Sequence, residues 1–157
     1  MANDSTPNVL YRNQGEGKFA DNAMEAGAAV SADGAEQGSM GVTSGDYLHN
    51  GRPSIFVTNF ADEYNTLYRN EGSYQFNDVA YPSGLAIASI PYVGWGTGFA
   101  DFDNDGWVHL LAVNGYVYSQ DDTLRSGARS RLTRQMFLNQ QHGQISYAPP
   151  EHDPPLH

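Results

Sequence analysis

A block of residues that recurs along the chain constrains its fold more than any other feature of the sequence. The segment NVLYRNQG at Asn8–Gly15 returns as NTLYRNEG at Asn65–Gly72, 57 positions later. A phenylalanine follows each copy at the same offset, as Phe19 and Phe76, and a third, weaker copy begins at Gln135. A repeat of this period with several short strands per unit is typical of propeller blades or sheet solenoids and not of helical arrays.

A second shared block lies between these copies. The sequence MGVTSGDY at 40–47 resembles WGTGFADF at 95–102, and residues 55–59 match 110–114 approximately, both with an offset of 55 positions. Gly, Asn and Asp separate the short apolar runs, a pattern that favours an all-β chain with tight turns. Ten strands are predicted, near residues 8–13, 17–21, 39–45, 54–59, 65–70, 74–79, 93–100, 108–114, 134–139 and 144–148.

Helix is predicted to be a minor component, limited to a turn within 22–30 and a short helix or ordered loop within 119–133. The fold class is therefore all-β, with four-stranded antiparallel blades of β-propeller type and about two and a half units. A propeller closes with roughly 4–8 blades, so the chain is expected to be incomplete as a ring. The predicted parts are an N-terminal extension, two repeat units, a partial third unit and a proline-rich linker or tail: 1–7, 8–64, 65–133, 134–148 and 149–157.

Composition narrows the classes of partner. The formal net charge of −10 disfavours nucleic acid and anionic membrane surfaces as partners. Cysteine is absent, which rules out disulfides, zinc–thiolate sites and thiol nucleophiles. The sequence shows no apolar stretch long enough for membrane insertion and no signal-peptide pattern, so an exported protein would be represented here by its mature part or by a fragment.

The stretch DFDNDGWVH at 101–109 carries the clearest chemical signal. Carboxylates at its first, third and fifth positions and a glycine at its sixth suit a backbone that curls around Ca²⁺, which takes oxygen ligands including the seventh-position carbonyl. Its ninth position is a histidine, which is a poor ligand for a hard cation, where an acid is expected. The candidate metal site comprises Asp101, Asp103, Asp105, Trp107 and His109.

Two other interpretations of the acidic loop were considered besides a calcium site in a β-hairpin. An EF-hand is excluded because its bidentate Glu would fall at position 12, where this chain has Ala112. A metal-free hairpin turn remains open, because Asp, Asn and Gly favour turns by themselves. The equivalent loop at 46–54 keeps Asp46 and Gly51 but has Leu48 in place of the second acid, so a metal-free turn is favoured there.

Together these motifs resemble the FG-GAP/VCBS repeat proteins, the integrin-alpha-like β-propeller family, and in particular its ASPIC/UnbV-associated, cartilage-acidic-protein-like members. The resemblance covers residues 8 to 146 and rests on 8–15, 57–72 and 94–107, with NGYVY at 114–118 also fitting the pattern. It implies four-stranded propeller blades, calcium in the Asp-rich hairpins, and an extracellular or cell-surface location.

The expected function is a non-catalytic, calcium-binding module that acts as an extracellular binding or scaffold element. Its partners would be the rest of a longer propeller chain, other copies of itself, or a protein or carbohydrate ligand. No catalytic motif is present; the glycines at 94–98 fit close strand packing better than a dinucleotide loop. Among the aromatic residues that could line a ligand surface, Tyr92, Trp95 and Trp107, Trp95 is expected in a blade core.

A self-assembling subunit, in which strand pairing between copies builds a ring or filament, is the alternative. The cluster Arg125, Arg129, Arg131 and Arg134 would dock on an acidic neighbour in that case, or form a solvated loop face otherwise. A further alternative is the non-catalytic part of a larger exported enzyme.

Overall fold

The computed structural model describes residues 1–115 and 134–149, which form ten strands and three short helices. All ten predicted strands are present. The strands are β1 (Tyr11–Gly15), β2 (Lys18–Asp21), β3 (Val42–Gly45), β4 (Ser54–Val57), β5 (Thr66–Gly72), β6 (Gln75–Asp78), β7 (Val93–Ala100), β8 (His109–Gly115), β9 (Arg134–Asn139) and β10 (Ile145–Ala148).

The helices are α1 (Ala23–Ala26), α2 (Ala80–Ser83) and α3 (Ala86–Ser89). α1 is the predicted turn, whereas α2 and α3 were not predicted. α1 and α2 are repeats of one another: Asp21 and Asp78 each accept the first helical N–H at 3.0 Å. The predicted helix or loop at 119–133 and most of the arginine cluster lie outside the described residues.

The strands form three antiparallel sheets, with orders β3-β4-β5-β6, β10-β9-β8-β7 and the two-stranded β1-β2. The prediction of four-stranded antiparallel blades is confirmed, and the described strands do not close a ring. Each four-stranded sheet takes two strands from one sequence unit and two from the next. The unit boundaries therefore mark the period of the sequence and not the limits of the sheets.

The main core lies between the two four-stranded sheets, where β3 runs against β7. Two glycines allow this approach: Gly41 lies against the backbone of Trp95, and Gly94 lies against Thr58. The expectation that glycines let these strands pack closely holds for Gly94 but not for Gly96 or Gly98, which face open space or only distant atoms. The core residues are Tyr47, Phe56, Tyr64, Leu67, Val79, Ala80, Leu85, Ala86, Leu110, Ala112, Phe137 and Ile145.

The expectation that Trp95 belongs to a blade core is wrong, because its side chain is 45% exposed. The reason is a register shift in the β7–β8 pair: Gly94 lies opposite Asn114 and Gly96 opposite Val113. Trp95 is the extra residue of this bulge, and a bulge re-aims the side chain it carries. None of the described helices is long and apolar enough to cross a membrane.

Candidate metal centre

The acidic loop connects β7 to β8 within one sheet, as the sequence predicted for a loop between neighbouring strands. The last strand pair before it joins Ala100 and His109. Asn104 and Gly106 have positive φ angles of 59° and 90°, so the backbone turns sharply between the acidic positions. Glycine at the sixth position is suited to this conformation because it carries no Cβ.

Asp101 closes the loop from inside. Its two carboxylate oxygens accept the backbone N–H groups of Asp105, at 3.2 Å, and of Gly106, at 2.9 Å. Each carboxylate oxygen has about two lone-pair sites, so Asp101 keeps the capacity to bind a cation as well.

Asp103 and Asp105 extend the acidic surface outward and are exposed. Asp105 accepts the backbone N–H of Trp107 at 2.7 Å, and Asp103 accepts that of Asp105 at 3.3 Å. One potential ligand atom from each of Asp103, Asp105 and His109 lies within 4.8 Å of the others, a spacing at which they could hold a metal ion. Asp101 is not part of this cluster.

Trp107, at the seventh position of the loop, is half-buried. Its ring stacks on that of His49 from the loop at 46–54. The two ring centroids are 4.1 Å apart and the planes differ by 5°. No sequence pattern predicted this contact, which joins the acidic loop of one sheet to the corresponding loop of the other.

His109 is 2% exposed and its two ring nitrogens have different environments. Nδ1 accepts the backbone N–H of Asn139 at 3.2 Å, which places the proton of the neutral imidazole on Nε2. Nε2 lies 3.2 Å from Oδ1 of Asp103, although the two groups are not aligned as a hydrogen bond. The polar contact with His109, together with the N–H that Asp105 donates, holds the pKa of the Asp103 carboxyl below its usual value. In this tautomer Nε2 faces Asp103 with its proton, whereas the opposite tautomer would offer Nε2 as a ligand atom beside Asp103 and Asp105.

The residue at the ninth position of the loop makes the same hydrogen bond in both four-stranded sheets. Ser54 stands in the place of His109, and its hydroxyl accepts the backbone N–H of Asn70 at 3.2 Å, as His109 accepts that of Asn139. The side-chain amides of Asn70 and Asn139 also donate to the carbonyl at the eighth position, that of Pro53 or Val108. The recurring asparagine was visible in the sequence repeat, but its role depends on pairing between distant strands.

The loop at 46–54, called the worn loop because it has Leu48 in place of the second acid, serves as an internal control for the acidic loop. Asp46 accepts the backbone N–H groups of Asn50 and Gly51, at 3.1 and 2.7 Å, which is the same closure as that of Asp101. Asn50 accepts the N–H of Arg52 at 2.9 Å, as Asp105 accepts that of Trp107. The turn therefore forms without an acid at its third position and with a neutral amide at its fifth.

The charges of Asp103 and Asp105 are consequently not needed for the turn. Within residues 1–115 and 134–149, no Lys or Arg forms an ion pair with the acidic loop, and the basic side chain in contact with it is that of His109, beside Asp103. Three clustered carboxylates repel one another unless a cation neutralises them. Carboxylate oxygens are hard ligands of the kind that Ca²⁺ prefers, so the residues present fit this ion.

The comparisons with known proteins agree with the repeat architecture. The FG-GAP-like repeat model matches residues 46–112, from the worn loop to the middle of β8. Cartilage acidic protein 1 of Mus musculus is 29% identical to this chain over 143 residues, and that of Homo sapiens is also 29% identical over 143 residues. The match covers 90% of this chain but only 20% and 19% of those relatives, so the chain spans about a fifth of their length. The resemblance to FG-GAP-like, cartilage-acidic-protein-like repeat proteins that the motifs indicated is therefore confirmed.

Proposed function

We propose that this chain is a non-catalytic, calcium-binding β-repeat module that acts as an extracellular binding or scaffold element. One observation carries the metal assignment: two loops share the same backbone closure, but only the loop at 101–109 adds carboxylates at its third and fifth positions. The turn does not need those charges, and a bound cation accounts for them.

Asp101, Asp103, Asp105 and the Trp107 carbonyl would hold the ion. Calcium would neutralise the three carboxylates and tie the exposed outer part of the loop to its hydrogen-bonded base. His109, with its proton on the nitrogen that faces Asp103, would restrain this carboxylate from behind. Because Trp107 stacks on His49, an ordered acidic loop would also stabilise the contact between the two sheets.

The extracellular and scaffold parts of the proposal are supported by the relatives, whose name refers to cartilage. The absence of catalysis is supported by the arrangement of the acids, since Asp101 is engaged by two backbone N–H groups and Asp103 and Asp105 lie together beside His109. Self-assembly is the second candidate, favoured by one observation: among the described strands, β1 pairs with β2 alone and its other edge is open.

Excess calcium is expected to raise the melting temperature relative to EGTA. At 100 times the dissociation constant, an ion that binds only the folded state stabilises it by about 2.7 kcal/mol. Asp105→Asn should remove this response without lowering the melting temperature in EGTA, because Asn50 performs the same hydrogen bonding in the worn loop. Differential scanning calorimetry measures both effects.

Glu16→Gln is the matched control, since Glu16 is an exposed acid in the β1–β2 turn, far from the acidic loop in sequence. This variant should keep the full calcium response. The proposal is wrong if wild-type protein melts at the same temperature in calcium and in EGTA and isothermal titration calorimetry detects no binding heat.

A further inference from the structure

The acidic loop shares an open cleft with the turn that joins β9 to β10. The cleft has a volume of about 240 Å³. The loop contributes Asp103, Asp105 and His109 to its lining, and residues 138–141, at the end of β9 and in the turn that follows, contribute the rest. The two acids that the loop does not need for its own fold therefore border polar residues of a second hairpin.

A buried nitrogen of His109 indicates that this cleft receives a polar group. Nε2 has no hydrogen-bond partner among the described residues, although the side chain is 2% exposed. Buried polar atoms in folded proteins nearly always have such a partner. Nε2 lies 3.2 Å from Oδ1 of Asp103, on the lining of the cleft. An ion beside Asp103, or a water bound to that ion, would supply the partner.

The β9–β10 turn carries a side chain where the equivalent turns have none. The β1–β2 and β5–β6 turns place Gly15 and Gly72 at this position, with φ angles of 86° and 88°, whereas the β9–β10 turn places Gln141 there, with a φ of 65°. In all three turns this residue donates its backbone N–H to the asparagine two positions earlier, at 2.8–2.9 Å. A left-handed backbone disfavours a residue with a Cβ, so the glutamine is kept against a local preference for glycine. Such an exception points to a function of the side chain.

The worn loop shows that a cation can occupy the space between such a loop and its neighbouring turn. Arg52, at the seventh position, donates from Nη1 to the Glu71 carbonyl at 2.9 Å. A Cβ on Gly72 would lie 3.2 Å from the guanidinium carbon, so this cation leaves little room for a side chain in the turn. The seventh position of the acidic loop is Trp107, whose ring stacks on the worn loop instead. The corresponding space beside the acidic loop can therefore take a metal ion.

Hydrogen bonds single out one of the four turn residues on this cleft. Leu138 is apolar, and the Asn139 side chain is committed: its oxygen accepts the N–H of Gln141, and its nitrogen donates to two backbone carbonyls. Gln140 donates its side-chain N–H to the Ser146 hydroxyl at 2.9 Å, which holds its amide against β10. Gln141 is exposed, and its side-chain amide forms no hydrogen bond with the described residues. Its amide oxygen is free to bind an ion.

We propose that the side-chain oxygen of Gln141 is a further ligand of the calcium ion held by the acidic loop. This inference rests on the proposed function, in which Asp101, Asp103, Asp105 and the Trp107 carbonyl are the loop's own ligands. Calcium takes six to eight oxygen ligands, and the amide oxygen of glutamine is one of the types it accepts. A ligand from the β9–β10 turn would cross-link two hairpins of the same sheet through the ion.

The test is Gln141→Gly, which introduces the glycine that the other two turns have at this position. The dissociation constant for calcium, measured by isothermal titration calorimetry, is expected to rise at least about fivefold, because one of six to eight ligands is lost. The melting temperature in EGTA should not fall, because glycine suits the left-handed backbone. A purely structural role of Gln141 would not separate these two effects. Gln140→Ala is the matched control on the same cleft and should keep the calcium affinity of the wild type.

Amide hydrogen exchange gives a second readout in the turn itself. The backbone N–H of Gln144 donates to the Gln141 carbonyl at 3.0 Å, and calcium should slow its exchange in the wild type but not in Gln141→Gly. Equal calcium affinities of Gln141→Gly and the wild type overturn this inference and leave the proposed function intact. So does an equal loss of affinity in Gln140→Ala and Gln141→Gly. If the wild type binds no calcium, both this inference and the proposed metal site are wrong.

Discussion

Replacing Asn59 by alanine is expected to lower the free energy of unfolding by about 3–4 kcal/mol. Asn59 is fully buried two residues after β4, and both its side-chain oxygen and its side-chain nitrogen are hydrogen-bonded. Alanine would leave buried donors and acceptors without partners, which costs more than the loss of the bonds themselves. The affected partners are the Ser39 hydroxyl at 2.9 Å, the Tyr64 carbonyl at 2.7 Å and the Thr66 hydroxyl at 3.0 Å.

Asn77→Ala is the matched control, because it makes the same chemical change at an exposed position of β6. Its effect should stay within about 0.5 kcal/mol. Urea unfolding followed by tyrosine and tryptophan fluorescence gives both free energies. Similar losses for the two variants would show that the network around Asn59 does not hold β4 to β5.

The strands were predictable because the repeat gives each boundary more than one signal. The copies at 8–15 and 65–72 mark the same strand, and the structure forms both. The difference lies at their starts: β5 begins at Thr66, the counterpart of Val9, but β1 begins only at Tyr11. Thr66 is paired with Val57 of β4. Its counterpart Val9 instead exchanges hydrogen bonds with Met1, which lies outside the strands. The sequence pattern predicts the β1–β2 and β5–β6 hairpins, whereas the lengths of β1 and β5 depend on the segment that pairs with each.

The two unpredicted helices show the lower limit of pattern analysis. α2 and α3 have four residues each, and a single turn is too short to display helical periodicity. α2 even contains Pro82, which an isolated pattern would assign to a turn. Their formation follows from burial, since Ala80 and Ala86 both pack into the main core.

The candidate metal site was predictable in its acids but not in the role of its histidine. The spacing of Asp101, Asp103 and Asp105 identifies the loop, and Asp101 closes it by a local hydrogen-bond pattern. The role of His109 depends on Asn139, which is 30 residues away and on another strand. No local pattern reports which ring nitrogen accepts that bond, so the tautomer of His109 could not be predicted from the sequence.

The close contact of β3 with β7 leads to a second large effect. Gly41→Ala is expected to lower the free energy of unfolding by about 2–3 kcal/mol, because an added methyl group overpacks this contact. A Cβ at Gly41 would lie 2.3 Å from the carbonyl oxygen of Trp95 and 2.7 Å from the hydroxyl of Thr58. Gly98→Ala is the control: its Cβ would meet nothing within 4 Å, and its effect on urea unfolding should stay within about 0.5 kcal/mol.

A double variant separates the two obstacles at Gly41. The Thr58 hydroxyl is a side-chain group that Thr58→Ala removes, whereas the Trp95 carbonyl is backbone and can move only with β7. If the approach of the two sheets is limiting, Thr58→Ala should not rescue Gly41→Ala, and the double variant should be at least as unstable as the single one. Recovery to the stability of Thr58→Ala alone would show instead that the sheets can separate enough to admit a methyl group. The glycine would then be needed for the Thr58 contact and not for joining the blades.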